Sequence, residues 1–454
     1  MSKKTVICIL AFLCVFMIPV TVVQASDVIE NNESGIPDQA LYQSILMELG
    51  KKPNQKFTKK EAEKLKLIEP VSCGVKSLKG IKYLKRLEVL NIEGNDLESL
   101  SGIQGLTNLK TLYAYDNNIK NIKPLKRLKK LQNIDLRCNE LANLNGIQNL
   151  KKLTSLDLQS NHLSGIKELK GLKNLVYLDI SENELTSVKD VKYLKNLKSL
   201  SVSYNAIKNL KGIEKLSKLT YLNAGGNRLK SLKQIQNLKK LKKLYVNGNQ
   251  LTSLKELKKL TKIEQLNASS NQLESLNGIQ KLKKIKVLYA NRNQLKSVNE
   301  VKNFKKLIAL DVSYNKITAL PDFSKMKQFS FCNVSYNYLN SQETSTVQNV
   351  NHDIEITEPV IGDFVSKNTR RIAGHTDIPG TKVRLLVNGN VNDDEHKIPI
   401  WYAQTDENGN FVFENLDFTN LGDRKNYYIA FDFADSVYSS DCNLDPGLRW
   451  IKIK

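Results

Sequence analysis

The sequence contains few of the residues that would indicate a metal enzyme, a disulfide-rich domain or a fibrous chain. Among 454 residues there are only four histidines, six cysteines, 10 prolines and 22 glycines. The histidines are scattered without metal-ligand spacing, which argues against a histidine-based zinc site, and the low glycine and proline content excludes a collagen-like chain. With 41% hydrophobic and 25% charged residues, the composition also excludes disorder of the whole chain.

Sequence patterns of catalysis are missing as well. The chain shows no Ser/His/Asp order, no phosphate-binding glycine loop and no pair of metal ligands. We therefore expect no enzymatic activity, no cofactor and no bound metal.

Acidic residues are outnumbered, since 46 Asp and Glu stand against 69 Lys and Arg and leave a net charge of +23. Most of the basic residues are Lys, because only ten are Arg. A charge of this size is typical of proteins that bind nucleic acids or other polyanions. If that interpretation holds, the lysines should cluster on one binding surface.

The N-terminus has the pattern of a secretory signal peptide. Lys3 and Lys4 precede an apolar run over residues 5–23, and small residues follow up to Ala25. We expect cleavage after Ala25, so that residues 1–25 are removed and no transmembrane segment remains. An uncleaved anchor is the alternative, since the run nearly reaches the length of about 20 residues that spans a bilayer.

A repeat of 22 residues dominates the next part of the chain and predicts its fold. Twelve asparagines follow one another at this spacing: Asn95, Asn117, Asn139, Asn161, Asn183, Asn205, Asn227, Asn249, Asn271, Asn293, Asn315 and Asn337. Apolar residues recur at −5, −3, +2, +5, +8, +11 and +14 from each of them, which is the L-x-L-x-x-N-x-L pattern of leucine-rich repeats. Cys73 precedes the series by 22 residues, at a position where the pattern accepts Asn or Cys.

This spacing predicts a right-handed solenoid horseshoe of about 13 coils over residues 74–340. Each coil has one short strand, the strands stack in parallel, and the return segment is too short for a long helix. We expect the asparagine side chains to turn inward and bond the backbone of the corner. Residues 26–73 are expected to form a helical cap. A helix should start at Pro37 and Asp38, and a capping box should join Thr58 to Glu61.

A signal peptide, a helical cap, an array of 22-residue repeats and a following β domain together resemble the internalin-like proteins of Gram-positive bacteria. The resemblance implies recognition of another protein through the concave face of the array. Members retained on the cell usually carry a wall-sorting signal with a hydrophobic tail, and residues 448–454 do not show one. We therefore expect a secreted, extracellular protein with at most a loose association with the cell surface.

Residues 341–454 are expected to form a linker and an all-β domain. Six apolar segments suggest strands: residues 372–374, 383–387, 401–404, 410–413, 427–431 and 450–451. Residues 405–409, with Asn408-Gly409, suggest the turn of a hairpin between the third and fourth of these. The segment resembles bacterial immunoglobulin-like domains, which implies a role as a spacer.

The cysteines do not predict a disulfide. After signal removal four remain, and Cys332 lies at a core position while Cys442 lies in the β domain. Cys73 and Cys138 are about three coils apart, or roughly 14 Å at the spacing of stacked strands, too far for a disulfide.

Charge is sparse where the strands face outward. Side chains at −6, −4 and −2 should line the concave side, and among these 36 positions only Arg137 and Lys243 are basic. Five acids share these positions: Glu93, Asp135, Asp157, Asp179 and Asp311. The lysines crowd the return segments instead, where they either solubilise a convex back or dock weakly on an anionic cell-wall polymer. Specific nucleic-acid binding is not expected.

Aromatic residues are frequent at the same outward positions: Tyr113, Tyr115, Tyr177, Tyr221, Tyr245, Tyr289 and Phe331. Exposed aromatics serve as anchors in protein interfaces, although tyrosine also stacks well between strands. Tyr221, Lys243, Tyr245 and Tyr289 should form one patch, and Tyr113 and Tyr115 a second. Between the patches lies a ladder of Asp135, Asp157 and Asp179, which a basic partner group would relieve.

Two hypotheses of function follow. The favoured one is a secreted recognition protein, without enzymatic activity, that binds another protein, with host surface proteins as one candidate class. The alternative is a cell-envelope protein held on anionic polymer by its lysines. Salt distinguishes them, because binding through lysines weakens with ionic strength and binding through aromatics does not.

Overall fold

The computed structural model describes residues 27–324, 326–334 and 337, and in the C-terminal part residues 372–375, 382–388, 401–404, 410–413, 427–433 and 451–453. The expected signal peptide and linker lie outside the described residues. The chain divides into two compact units, residues 1–241 and residues 242–454.

A small cap opens the first unit and contains more than the predicted helices. Helix α1 covers Gln39–Glu48, and Asp38 caps it by accepting a hydrogen bond from the Leu41 N–H. Strand β1 (Val28–Ile29) pairs antiparallel with β2 (Phe57–Thr58), a pairing that the sequence did not suggest. The short helix α2 (Lys59–Ala62) follows with the predicted capping box between Thr58 and Glu61.

Asp38 also joins this cap to the first coil. Its second carboxylate oxygen accepts hydrogen bonds from the N–H groups of Lys76 (2.8 Å) and Ser77 (2.9 Å). Beneath α1 the rings of Tyr42 and Phe57 lie 5.1 Å apart, and both residues are buried. The cap therefore covers the end of the array with apolar side chains and saturates backbone groups of the first return segment.

Eight parallel strands belong to the first unit, each paired with the next in chain order. They are β3 (Leu67–Ile68), β4 (Val89–Asn91), β5 (Thr111–Tyr113), β6 (Asn133–Asp135), β7 (Ser155–Asp157), β8 (Tyr177–Asp179), β9 (Ser199–Ser201) and β10 (Tyr221–Asn223). The return segments were predicted to be too short for a long helix, and they hold short 3-10 helices: Ile81–Tyr83, Ile103–Gly105, Lys123–Arg127, Lys167–Gly171, Lys189–Tyr193, Ile213–Lys215 and Lys233–Ile235.

The second unit repeats the arrangement with five parallel strands. They are β11 (Lys243–Tyr245), β12 (Gln265–Asn267), β13 (Val287–Tyr289), β14 (Ala309–Asp311) and β15 (Phe331–Asn333). Its 3-10 helices cover Lys255–Lys259 and Asn299–Asn303. The leucines of the repeat are buried in both units, for example Leu222, Leu244 and Leu266.

The corner asparagines bond the backbone as predicted, and they also join successive coils. The side-chain amide of Asn205 donates to the carbonyl oxygens of Ile180 (3.0 Å) and Ser203 (3.0 Å). Its oxygen accepts from the Leu185 N–H at 2.8 Å. Ile180 and Leu185 belong to the preceding coil, so one side chain fixes two neighbouring corners.

Cys73 does not act as an inward corner residue. Its side chain is exposed, and its thiol donates to the carbonyl oxygen of Val71 at 3.2 Å. The corner is bonded instead by Asn95 of the next coil, whose oxygen accepts from the N–H groups of Cys73 (3.2 Å) and Val75 (2.9 Å). Cys73, Cys138 and Cys332 are free thiols, and Cys332 is buried as predicted.

The residue before the corner asparagine has a left-handed backbone, which the sequence analysis did not predict. Gly94, Gly226 and Gly248 occupy this position at φ near +60°. Elsewhere it is occupied by side chains with φ between 50° and 56°: Asp116, Cys138, Ser160, Glu182, Tyr204, Ser270, Arg292 and Tyr314. This backbone region costs most residues about 1 kcal/mol or more, and the asparagine bonds that fix the corner offset that cost.

In the C-terminal part, each of the six predicted segments overlaps a strand. They are β16 (Ile372–His375), β17 (Lys382–Asn388), β18 (Trp401–Gln404), β19 (Asn410–Phe413), β20 (Tyr427–Phe433) and β21 (Ile451–Ile453). The predicted hairpin between β18 and β19 is wrong, because β18 pairs with β17 and β19 pairs with β16. The two strands thus belong to different sheets, one ordered β18-β17-β20-β21 and the other β16-β19. Asn408-Gly409 is a local turn signal and does not determine which strand is the partner.

Candidate protein-binding surface

We call the outward side chains at −6, −4 and −2 of each coil the strand face. Alternation along each strand directs them away from the core. In β5, for instance, Leu112 is fully buried between Thr111 and Tyr113, and Tyr113 is 39% exposed. The predicted site residues occupy the strand face in both units, and each unit presents a different surface.

In the first unit, Arg137 and Asp135 form the strongest polar contact of the strand face. The Arg137 guanidinium donates to both carboxylate oxygens of Asp135, at 3.0 Å from Nε and 2.6 Å from Nη2. It also lies 3.8 Å from the carboxylate of Asp157 and 4.8 Å from the ring centre of Tyr115. The basic group expected from a partner is therefore supplied in part by the protein itself.

Asp157 is the most perturbed carboxylate of the Asp135, Asp157 and Asp179 ladder. The three residues are directly opposite one another on adjacent strands. Burial, reinforced by the charges of Asp179 and Asp135, raises the pKa of Asp157 to about 6, against the opposing effects of the Gln159 N–H and Arg137. A proton, or a cation from a partner, would relieve this repulsion.

Tyr177 and Asp179 complete this polar group. The Tyr177 hydroxyl donates to Asp157 at 3.2 Å, and burial together with the charges of Asp157 and Asp179 raises the pKa of Tyr177 above its usual value. Asp179 accepts a hydrogen bond from the Ser181 N–H at 2.8 Å. Among the described residues Asp179 has no ion pair. It is the ladder carboxylate that remains open to an external cation.

Tyr113 and Tyr115 differ in their surroundings although they share one coil. Tyr113 is exposed, whereas Tyr115 is half-buried beneath Arg137. A hydrogen bond with the Glu93 carboxylate raises the pKa of Tyr115. Tyr113 is therefore the free aromatic side chain of the predicted early patch, while Tyr115 supports Arg137.

The structure identifies Tyr204 as an exposed aromatic that sequence reasoning missed. It occupies the left-handed position before Asn205 and is 60% exposed. Its ring lies over Gly226 so closely that a Cβ at that glycine would be 2.6 Å from ring carbon Cδ1. Tyr221 lies on the strand face of the same unit, half-buried and opposite Ser199.

In the second unit the strand face carries an apolar column and two tyrosines among polar side chains. The −6 positions of three adjacent strands hold Val287, Ala309 and Phe331 in register. Tyr245 and Tyr289 occupy −4 positions two strands apart, and the Tyr245 hydroxyl donates to Gln265 at 2.8 Å.

Lys243 is an exposed cation of this face, and Arg292, which was not predicted, is an exposed cation at the −1 position beside it. Arg292 lies 4.7 Å from the ring centre of Tyr314 one coil further on. Both Arg–Tyr pairs are formed by residues 22 apart, a signal that was present in the sequence. Asp311 is half-buried and accepts hydrogen bonds from Ser313, and burial raises its pKa.

Comparison with known proteins supports the repeat assignment. A family model described as leucine-rich repeats in two copies matches residues 107–149, 151–193, 195–240 and 239–283. The crystal structure of an internalin from Listeria monocytogenes is 25% identical, with a TM-score of 0.67, and the match covers 72% of this chain and 98% of that one. The chain is an internalin-like leucine-rich repeat protein.

Other solved structures match parts of the chain. A leucine-rich repeat protein from Leptospira interrogans is 25% identical with a TM-score of 0.46, covering 64% of this chain and 95% of that one. The leucine-rich repeat domain of APL1B is 22% identical with a TM-score of 0.52, covering 61% and 84%. Among curated proteins the sequence has no match. In the described part of the internalin-like protein, no helix is both long and apolar enough to cross a bilayer.

The predicted grouping of Tyr221 with Lys243 stays a prediction, because Tyr221 belongs to the first unit and Lys243, Tyr245 and Tyr289 to the second. Within the first unit, the internalin-like array brings Tyr115, Arg137 and the aspartate ladder together. Within the second unit it aligns Tyr245 and Tyr289 beside the apolar column that ends at Phe331. Each surface combines aromatic rings with a small number of charges, as protein interfaces do.

Proposed function

We propose that this internalin-like protein is secreted after removal of residues 1–25 and binds another protein through its strand face. Leucine-rich repeat proteins of this kind are protein-binding. Solenoids of stacked repeats in general bind through their extended concave surfaces. The proposal includes a right-handed horseshoe of about 13 coils over residues 74–340 and an immunoglobulin-like spacer within residues 341–454.

One observation supports the strand face above all: two of its partly exposed tyrosines have hydroxyls that are already directed by hydrogen bonds. Tyr177 is bonded to Asp157, and Tyr245 to Gln265. Side chains fixed in this way lose little conformational freedom on binding, which favours affinity. A partner bound to the first unit would place a basic group near Asp179, and a partner bound to the second unit would place apolar groups on Tyr245 and Phe331.

The first experiment is capture of a partner with residues 26–454 from host and bacterial surface extracts, in parallel with matched tyrosine variants. Tyr113→Ala/Tyr221→Ala alters the first unit, and Tyr245→Ala/Tyr289→Ala alters the second. Tyr193→Ala is the control, because Tyr193 lies in a return segment between Lys170 and Lys192. A protein retained by the parent and the control, and lost from at least one strand-face variant, supports the proposal. A protein retained equally by all four contradicts it.

A further inference from the structure

A surface without acidic residues runs along the turns that precede the strands of the first unit. We call it the lysine ridge; it consists of the residues at +12 and +13 from Cys73 and from each corner Asn of that unit. They are Lys85, Arg86, Thr107, Asn108, Lys129, Lys130, Lys151, Lys152, Lys173, Asn174, Lys195, Asn196, Ser217, Lys218, Lys239 and Lys240. Eleven of these 16 residues are basic and none is acidic, whereas 69 basic residues in 454 would place about two there by chance.

Side-chain contacts hold the turns of this ridge in line. The amide of Asn174 donates to the carbonyl oxygen of Lys151, and that of Asn196 to the carbonyl oxygen of Lys173, each at 2.9 Å. The ammonium of Lys218 in turn donates to Asn196 at 2.7 Å. Each turn thus lies against the turn of the preceding coil. Eight turns at a strand spacing of about 4.8 Å give a row roughly 34 Å long.

The cations of the ridge are mostly not neutralised by the protein. Lys85 forms an ion pair with Glu63 at 2.8 Å, and within the described residues no other ridge cation has one. Lysines at the neighbouring +15 position do pair, such as Lys110 with Glu88 at 2.6 Å. A row of unpaired, exposed cations concentrates positive potential along one line, which favours a linear anion over a compact one.

A second row of lysines on the return segments differs from the ridge in having acidic neighbours. The +6 positions of four consecutive coils hold Lys167, Lys189, Lys211 and Lys233, all exposed. Acids adjoin two of them directly in sequence, Glu168 and Asp190. The +6 column therefore offers four lysines on coils that overlap those of the ridge. Unlike the ridge lysines, they lie among both basic and acidic side chains, so a substitution of these four is a matched control.

We propose that the lysine ridge binds a linear phosphate polymer without bases, either inorganic polyphosphate or a polyol-phosphate chain. Ten of its 11 cations are Lys, which acts as a point charge toward phosphate, whereas Arg provides a planar fork for bidentate contacts. The ridge positions hold no aromatic residue on which nucleic-acid bases could stack. This surface is distinct from the strand face, so either proposal can fail without the other.

The test measures binding of the whole mature chain to polyphosphate of about 100 units and to synthetic poly(glycerol phosphate), in separate arms, at several salt concentrations. The ridge variant carries Lys129→Gln, Lys151→Gln, Lys173→Gln and Lys195→Gln, at the +12 positions of four consecutive coils. The control carries Lys167→Gln, Lys189→Gln, Lys211→Gln and Lys233→Gln and has the same net charge.

We expect the ridge variant to bind at least one of the two polymers at least tenfold more weakly than the parent near 0.1 M salt, with a shallower salt dependence. The control should lose less than threefold. The polymer that shows the larger difference identifies the source of the phosphate. Equal losses of polymer affinity in both variants, or no loss in either, would overturn the proposal that the lysine ridge is the binding site. Tighter binding to heparin or to single-stranded DNA of equal charge would overturn the phosphate-polymer assignment in favour of that class.

Discussion

The guanidinium of Arg137 is held between the carboxylate of Asp135 and the ring of Tyr115. Two of its nitrogens donate to Asp135, at distances down to 2.6 Å, and its central carbon lies 4.8 Å from the ring centre. The −4 and −2 columns of the repeat therefore do not act independently on the strand face. An aromatic from one coil and a carboxylate from the next together fix a cation beside the rest of the aspartate ladder.

Removing this cation should destabilise the fold. Arg137→Gln leaves Asp135 without its ion pair, and we expect the free energy of unfolding to fall by about 1–2 kcal/mol, since the Arg137 side chain is partly solvent-exposed. Urea unfolding measures this change. In the double variant Arg137→Gln/Asp135→Asn most of the loss should be recovered, because the unpaired charge is gone. If the losses of unfolding free energy in the two single variants simply add in the double variant, the two side chains are not coupled and the ion pair does not contribute to stability.

The stability of the protein should depend on Asp157 between about pH 4 and pH 6. Its pKa of about 6 in the folded state lies above the ordinary 3.8, so the folded state binds more protons than the unfolded state in this window. The free energy of unfolding therefore falls as pH rises through the window, by up to about 3 kcal/mol from this group.

Asp157→Asn isolates that contribution. The variant should be more stable than the parent at pH 7.5 and nearly equal to it near pH 4, as thermal unfolding at several pH values would show. Asp96→Asn is the control, because Asp96 is exposed and lies outside the ladder. A stability difference between Asp157→Asn and the parent that does not change with pH would contradict this account.

Loss of one corner asparagine should weaken the array at mid-length. Asn205→Leu removes the hydrogen bonds to Ile180, Ser203 and Leu185, and we expect a loss of about 1–3 kcal/mol, because buried backbone groups lose their partner. Asn118→Leu changes an exposed asparagine and should cost less than about 0.5 kcal/mol. Equal melting temperatures for the two variants would show that the register of the repeat is wrong.

Thiol reactivity should separate the cysteines. Burial raises the pKa of Cys332 to about 12, while Cys73 and Cys138 are exposed and free. In the mature chain carrying Cys442→Ser, a thiol reagent at pH 8 should modify two cysteines rapidly and the third only after denaturation. Fewer than three thiols in the denatured, unreduced protein would reveal a disulfide and contradict the expected free cysteines.

The sequence predicted the features that depend on the strict period and missed those that depend on contacts between coils. Burial of Leu222 or bonding by Asn205 follows from position within one repeat. The left-handed backbone at Tyr204 does not, since the same position holds glycine in other coils. The ion pair of Arg137 with Asp135 depends on the conformation of both side chains at fixed backbone positions. The residue types alone do not determine that conformation. Strand partners in the C-terminal part are set by distant segments, so the Asn408-Gly409 signal gave the wrong pairing.

The most direct test of the central claim is the dissociation constant of the captured partner for the parent and for single variants at about 0.15 M salt. Tyr221→Ala and Tyr245→Ala should each weaken binding at least tenfold without loss of folding, because truncating an anchoring tyrosine commonly costs about 2 kcal/mol. Tyr193→Ala, and Lys239→Ala combined with Lys240→Ala, should change affinity less than about twofold. If the lysine pair abolishes binding while both tyrosine variants bind normally, the strand face is not the protein-binding site.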